Sequence, residues 1–255
     1  MLNPLNKPML DGVCFTTDLD WASEYAVKKI LDFFFDNGIC PTVFLTHESK
    51  CAFQYAEERK IELGIHPNFV QPSSQGKDVD EVIHYCMNLL PEAKVFRCHR
   101  WFASNDAYDA LFQRGLRYDS NLCTMLDIIS PFRHRSGIIS FPAFFEDGAW
   151  LYHGENLCFD DNKNLFAQKG LKIINVHPMH FVINTPCFRY MRDIKDRLPR
   201  ADWNNLSEDV IMAMSNSEQL GIGDFVKDMV GYFQKEKMNQ YTLKQAYDIF
   251  VAHNK

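Results

Sequence analysis

Two carboxylates at the end of an apolar stretch are the first residues in the chain whose spacing points to chemistry. Asp18 and Asp20 follow residues 13–17, which are apolar, β-branched or small and are bounded by Gly12. Such a run is typical of a short buried strand. If the backbone turns there, both carboxylates face the mouth of a parallel sheet, where one can act as a base while the other holds a metal. The alternative is that they only end the strand and cap the next helix.

Further side chains suited to catalysis or metal binding fall where later strands are predicted to end. The strand patterns cover residues 40–46, 61–65, 94–97, 116–119, 137–142 and 171–176. Helical patterns separate most of these strands, and this alternation predicts parallel pairing with right-handed crossovers. The side chains at the predicted carboxyl ends are His47, His66, Arg97, His99, Asp119, Glu146, Asp147, His177 and His180. With the first strand there are seven units, which predict a closed or nearly closed α/β barrel with its site on this face.

The helices carry clear start and stop signals. Residues 23–37 place apolar side chains at helical spacing, and Gly38 follows where a left-handed cap belongs. Thr242 and Gln245 form a capping box for the last helix, which we expect to pack on the barrel. Residues 186–221 have mixed charge and no strand signal, so they are either a solvated helix and loop or a lid over the site. We expect a single domain over residues 1–255, with the barrel at about 10–180 and helices after it.

Composition narrows the class of protein. The chain has 255 residues, of which 46% are hydrophobic and 24% charged, as is ordinary for a globular protein that buries a sizeable core. No membrane-spanning segment or signal peptide is apparent, and the eight cysteines form no C-x-x-C pair, so a cytoplasmic protein without a disulfide framework is expected. The net charge of −6 disfavours a nucleic-acid partner and suits a small or uncharged glycan substrate.

Five short motifs occur in a characteristic order between about residues 13 and 180. They are FTTDLD at 15–20, ELGIHPNF at 62–69, FRCH at 96–99, YDSN at 118–121 and IINVHP at 173–178. Their order resembles the NodB-homology polysaccharide deacetylase family, and more narrowly its WbmS-like branch from surface-polysaccharide gene clusters. Residues 181–255 are covered less clearly. The resemblance implies a distorted (β/α)7 barrel.

The resemblance also implies an activity and roles for particular residues. The family removes acetyl groups from N-acetylated sugars with a divalent metal, commonly zinc. Asp18 matches its general base, and Asp20 matches its metal-binding carboxylate. His66 matches the first metal histidine, Arg97 the arginine that orients the base, and His177 the general acid. These residue types suit amide hydrolysis, since a metal with open positions, a base and an acid are what the reaction needs.

The chain departs from the family pattern at the second metal histidine. The family has this histidine a few residues after the first, but Val70 and its neighbours offer none. His99 is the expected replacement, because it lies two residues beyond Arg97 at an adjacent strand end. The rival expectations are a weakly bound metal or no metal.

The residues that contact the sugar are less sharply defined. We expect Asn68, Phe69, Trp101 and His180 to bind substrate. The two aromatic rings could stack on a sugar, although aromatic residues are also common in cores. His180 shares a face with His177 only if the chain turns helical there.

Three functions remain open from the sequence. The leading one is a metal-dependent hydrolase that deacetylates an N-acetylated sugar, as a nucleotide-linked or lipid-linked precursor, during surface-glycan assembly. The second is hydrolysis of a non-sugar amide on the same fold. The third is a glycan-binding relative whose metal site has decayed. The oligomeric state, the sugar and the metal are not indicated.

Overall fold

The structure is a computed structural model that describes residues 10–254, apart from the side chains of residues 200 and 201. Its strands are β1 (Gly12–Asp18), β2 (Thr42–Leu45), β3 (Glu62–Ile65), β4 (Val95–Phe96), β5 (Tyr118–Asp119), β6 (Phe132–Arg133), β7 (Ile139–Ser140), β8 (Ala143–Glu146) and β9 (Leu171–Asn175). The expected lack of a leader concerns residues 1–9, which lie outside this description.

Helices follow most of the strands. They are α1 (Glu24–Asp36), α2 (Lys50–Glu57), α3 (Val79–Leu89), α4 (Asn105–Gln113), α5 (Asp147–His153), α6 (Phe159–Phe166), α7 (Pro178–Ile183), α8 (Phe188–Arg197), α9 (Glu208–Ala213), α10 (Ile222–Lys235) and α11 (Leu243–His253). Short 3-10 turns lie at His99–Trp101 and Arg200–Asn205. Among the residues described, no helix is both long and apolar enough to cross a bilayer.

The strands form one curled sheet in the order β6-β7-β5-β4-β3-β2-β1-β9-β8. All neighbours pair in parallel except β6 and β7. The strands β7 and β8 are adjacent in the chain but pair with strands on opposite sides of the sheet. Ser140 in β7 lies opposite Asp119 in β5, and Glu146 in β8 lies opposite Asn175 in β9. Because β7 and β8 follow each other directly in the chain, the two edges of the curled sheet come together at residues 139–146. This confirms the predicted distorted (β/α)7 barrel.

Two details of the predicted strand pattern were wrong. The sixth strand, predicted at residues 137–142, is divided into β7 and β8 around Pro142, because proline has no N–H to donate to a ladder. The antiparallel strand β6 was not predicted. It has only two residues, Phe132 and Arg133, and both are exposed, so it lacks the apolar alternation that marks a strand.

The first βα unit shows how the sequence builds the fold. Every residue of β1 is buried, as expected for a central strand covered on both faces. Ser23 caps α1 by accepting a hydrogen bond from the N–H of Ala26 at 3.4 Å, and the apolar face of the helix packs into the core. Gly38 follows α1 with φ +69°, in the left-handed conformation predicted for it. The loop between β1 and α1 is short and spans residues 19–23.

The C-terminal helices complete the core. Met191 in α8 and Ile211 in α9 are buried in the main apolar cluster, so residues 186–221 pack against the barrel, and their role as a lid stays a prediction. Leu243 at the start of α11 is buried in a second cluster that includes strand residues, which confirms that the last helix packs on the barrel. The capping box of Thr242 and Gln245 is also present.

Candidate active site

The chain turns sharply at the carboxyl end of β1. Asp20 and Trp21 have φ angles of 43° and 58°, a conformation that non-glycine residues seldom adopt. The turn is held by the N–H of Trp21, which donates to Thr46 Oγ1 at 3.0 Å. Arg100 and Trp101 form a second consecutive pair of this kind, with φ of 56° and 60°. Backbone strain of this type concentrates at functional sites, and here both turns border the mouth of the barrel.

Asp18 is held rigidly inside this mouth. Its side chain is buried, and Oδ1 accepts a hydrogen bond from Arg97 Nη1 at 3.0 Å. Its other oxygen, Oδ2, accepts from Asn175 Nδ2 at 2.9 Å. Asn175 Oδ1 in turn accepts from the same Arg97 Nη1 at 2.6 Å. Both oxygens of Asp18 are thus held in one orientation. A general base needs such an orientation to accept a proton from a correctly placed reactant.

Arg97 is completely buried and uses each part of its guanidinium. Nε donates to the backbone oxygen of Ser120 at 2.7 Å, and Nη2 donates to its hydroxyl at 2.8 Å. Nη1 also donates to Thr16 Oγ1 at 2.8 Å. The rings of Phe44 and Trp101 lie 4.6 and 5.0 Å from the guanidinium carbon. The charge is therefore compensated by Asp18, by hydrogen bonds and by two aromatic faces.

A carboxylate and two imidazoles meet beside Asp18. Asp20 Oδ1 lies 3.2 Å from His66 Nε2 and 3.0 Å from His99 Nδ1. In a tetrahedral zinc site with bonds near 2.0–2.1 Å, ligand atoms are separated by about 3.3 Å, so these donors fit such an ion with little movement. Burial favours the neutral form of Asp20, but His99, His66 and His177 together hold its pKa well below the usual value. The cluster is therefore anionic at the oxygen that would meet a cation.

Trp21 supports this cluster from the side and was not identified from the sequence. Its ring meets the ring of His99 edge to face, with centroids 5.2 Å apart. His66 is buried, and its Nδ1 atom has no hydrogen-bond partner among the residues that the structure describes and lies 3.8 Å from Asp18 Oδ1. Nε2 is therefore the His66 nitrogen that faces the shared donor set.

His177 lies across the mouth from these residues. Its Nδ1 atom lies 2.5 Å from Asp147 Oδ1, and its Nε2 atom lies 3.9 Å from Asp18 Oδ2 and 3.6 Å from Asp20 Oδ2. Burial alone would lower the pKa of His177, but the Asp147 carboxylate, together with Asp20 and Glu146, raises the pKa well above the usual value. Glu146 Oε1 lies 3.5 Å from the same Nδ1. His177 is thus poised as a protonated group that faces Asp18.

The structure brings together the residues predicted for catalysis and metal binding. These are Asp18, Asp20, His66, Arg97, His99 and His177. Asp147 was noted only for its position at a strand end, and its partnership with His177 was not foreseen. Asn175 was also missed, because an asparagine in an apolar strand carries no catalytic signature by itself. The roles assigned from the sequence to the six predicted residues stay predictions.

The residues predicted to bind substrate lie around the site with contacts of their own. Asn68 is buried, and its Oδ1 accepts from the N–H of Val70 at 3.1 Å. Phe69 packs against an apolar cluster, while Trp101 lies over Arg97. His180 contacts Thr185 Oγ1 at 3.1 Å, and burial lowers its pKa to about 3, so it is neutral. Substrate binding by these residues stays a prediction.

The side chains at the mouth of the barrel suit amide hydrolysis, and comparison with known protein families identifies the chain as a carbohydrate deacetylase. Residues 15–194 match the family model described as WbmS-like polysaccharide deacetylase, and the chain belongs to this family. The match covers all the strands except the first residues of β1, together with every residue of the site described above.

One solved structure shows the same fold, and a second is similar at a lower level. WbmS from Bordetella bronchiseptica, assigned as a polysaccharide deacetylase involved in O-antigen biosynthesis, is 23% identical over 86% of this chain and 90% of that chain, with a TM-score of 0.75. A protein assigned as a polysaccharide deacetylase from Mycobacterium smegmatis is 15% identical over 94% of this chain and 96% of that chain, with a TM-score of 0.45. No curated protein matches the chain.

Proposed function

We propose that the protein is a metal-dependent hydrolase that removes the acetyl group from an N-acetylated sugar or glycan precursor in surface-polysaccharide biosynthesis. One observation carries the proposal: Asp18 lies between a carboxylate–imidazole cluster and a protonated imidazole. Its Oδ1 is 3.8 Å from His66 Nδ1, and its Oδ2 is 3.9 Å from His177 Nε2. A base, an acid and a set of metal donors within one mouth are what amide hydrolysis requires.

Asp20, His66 and His99 would hold the metal. One carboxylate and two neutral imidazoles are a typical three-ligand set for catalytic zinc, and the donor spacing fits it. A bound zinc ion would polarise the acetyl carbonyl and make a water molecule more acidic. The contact of His99 with Asp20 at 3.0 Å supports a retained site over a decayed one, although the family's second histidine is missing.

The remaining residues would handle the protons. Asp18 accepts a proton from the attacking water, and Arg97 and Asn175 keep its carboxylate aligned during this transfer. His177 donates a proton from Nε2 to the amine nitrogen as the carbon–nitrogen bond breaks, and Asp147 keeps this imidazole oriented. The water oxygen bonds to the acetyl carbon as the carbon–nitrogen bond breaks, which yields acetic acid and the free amine of the sugar. Transfer of the proton on Asp18 to solvent and uptake of a proton by His177 restore the enzyme.

We also propose a precursor as the substrate and the cytoplasm as the location. All eight cysteines are free, as is usual in a reducing compartment. A cytoplasmic location favours an N-acetylated sugar that is nucleotide-linked or lipid-linked, and the structurally similar WbmS is assigned to O-antigen biosynthesis. Asn68, Phe69, Trp101 and His180 would contact this substrate.

The test is the release of acetate from a panel of N-acetylated sugars, nucleotide-linked sugars and non-sugar acetamides. We expect the zinc-loaded protein to release acetate from at least one sugar, and chelation to abolish the activity. Asp18→Asn should reduce kcat by about 10²- to 10⁴-fold, the usual contribution of a general base, while the metal remains bound. Activity only on the non-sugar acetamides would point to the other amidohydrolase function. An inactive wild-type protein that binds sugars without metal would overturn the proposal.

A further inference from the structure

A buried glutamine connects the loops that carry the candidate metal donors. Gln75 lies between β3 and α3 and is only 4% exposed. Its Nε2 donates to the backbone oxygens of Thr46 and His66, each at 3.0 Å. Its Oε1 accepts from the N–H of Asn68 at 2.6 Å and from Cys86 Sγ at 3.7 Å. The side chain therefore makes polar contacts with four residues from three elements.

The chemistry of these partners fixes the orientation of the amide. Two carbonyl oxygens need N–H donors, and the backbone N–H of Asn68 needs an acceptor. Only an uncharged amide of this length supplies both donors and the acceptor at one point. Methionine would supply neither, and glutamate would set a carboxylate against two carbonyl oxygens. Gln75 is thus matched to its surroundings at each polar atom.

The contacts of Gln75 lead to all three metal donors. It holds the carbonyl of His66 directly. It also binds the residues on both sides of Pro67, whose carbonyl accepts the backbone N–H of His99 at 2.9 Å. On its other side it holds Thr46, whose hydroxyl accepts the N–H of Trp21, the residue that follows Asp20.

We propose that Gln75 is a positioning residue that sets the spacing of the metal donors. The inference rests on the metal site of the proposed function. His66 and His99 come from separate strand ends, whereas the two metal histidines of the family pattern lie a few residues apart. Gln75 would hold the two separate strand ends in a fixed relative position. Residues that orient metal ligands through hydrogen bonds typically change metal affinity by about 10- to 100-fold when they are replaced.

The test compares cobalt binding by the full-length protein and two variants. Gln75→Met removes all the polar contacts, and Gln75→Asn keeps an uncharged amide but shortens its reach, which protects the experiment if the first variant does not fold. Gln71→Met is the matched control. Gln71 is an exposed glutamine of the same loop whose side chain bonds to the backbone of Gly76 and Ser73. Folding is checked by circular dichroism, and Co²⁺ affinity is measured by titration well below the unfolding temperature.

We expect the Co²⁺ dissociation constant to rise about 10- to 100-fold in the Gln75 variants, with an altered visible absorption spectrum, and to stay unchanged in Gln71→Met. A purely structural role would lower the unfolding temperature but leave the affinity and the spectrum of the folded protein as they are in the wild type. That result would overturn the inference alone. If the wild-type protein itself bound no Co²⁺ or Zn²⁺, the proposed metal-dependent function would fail instead.

Discussion

His177 and Asp147 are joined by two contacts. The imidazole Nδ1 lies 2.5 Å from Asp147 Oδ1, and the backbone N–H of His177 donates to Oδ2 at 2.7 Å. The carboxylate therefore fixes both the ring and the backbone that carries it. Because Nδ1 faces a carboxylate, it holds a proton, and Nε2 is left as the atom that can exchange a proton with substrate.

Replacing Asp147 should change the pH dependence of the reaction. Burial lowers the pKa of His177, and Asp147 makes the main contribution that raises it, with smaller contributions from Asp20 and Glu146. In Asp147→Asn the burial effect remains without its main compensation, so the pKa of His177 falls. The protonated acid is then lost at lower pH, and the alkaline limb of the kcat/KM profile should move to lower pH. We expect kcat to fall by about 10²- to 10⁴-fold, measured by acetate release.

Asp160→Asn is the control for this experiment. Asp160 is an exposed carboxylate on α6 that pairs with Lys163 on the surface. This variant should keep the wild-type profile. An Asp147→Asn enzyme whose alkaline limb coincides with that of the wild type would show that His177 is not the acid.

Replacing Arg97 should lower the stability of the folded protein. Arg97→Met leaves Asp18 buried without its counter-charge and leaves the backbone oxygen of Ser120 without its donor. Breaking a buried ion pair in this way destabilises proteins by about 3–5 kcal/mol. We expect a loss of that size in the free energy of unfolding, measured by urea denaturation. The double variant Asp18→Asn/Arg97→Met should recover part of the loss, because no buried charge is then left unpaired.

Arg135→Met provides the comparison for Arg97→Met. Arg135 pairs with Asp109 at 2.8 Å, but both side chains are exposed. Removal of an exposed pair changes stability by about 0–1 kcal/mol. Equal effects of the two substitutions would contradict the assignment of Arg97 as the buried counter-ion of Asp18.

The strand ends could be predicted because their signals are local. An apolar run followed by Asp18 and Asp20 is visible in the sequence, and parallel strands bring such ends to one face. The division of the sixth strand at Pro142 was not predicted, since pairing with β5 on one side and β9 on the other depends on how the sheet curls. The pattern of apolar residues records burial but does not record which neighbour a strand will have.

The residues that support the site could not be predicted, for a related reason. Asn175, Thr16 and Gln75 contact residues far away in the chain, as in the bond from Thr16 Oγ1 to Asn175 Oδ1 at 3.0 Å. In the sequence, an asparagine, glutamine or threonine looks the same whether its side chain hydrogen-bonds to a loop backbone or orients a catalytic base. Only the folded chain distinguishes these cases, because the partners define the role.

The last prediction concerns the metal donors. Without His99, Asp20 and His66 would be two protein ligands, fewer than the three that catalytic zinc sites usually have. His66→Ala and His99→Ala should therefore each lower zinc content and affinity, measured by elemental analysis and titration of the folded proteins. Affinity of the wild type should also fall as the solution is acidified, because both imidazoles must be deprotonated to bind the ion.

His84→Ala serves as the control for the metal measurements. His84 lies on the exposed face of α3, where its ring contacts Asn88 at 3.0 Å, so this variant should bind zinc as the wild type does. If His66→Ala lost the metal while His99→Ala kept it at full occupancy and affinity, His99 would not be a ligand. Its contact with Asp20 would then serve to orient that carboxylate, and His99 would belong with the residues that bind substrate.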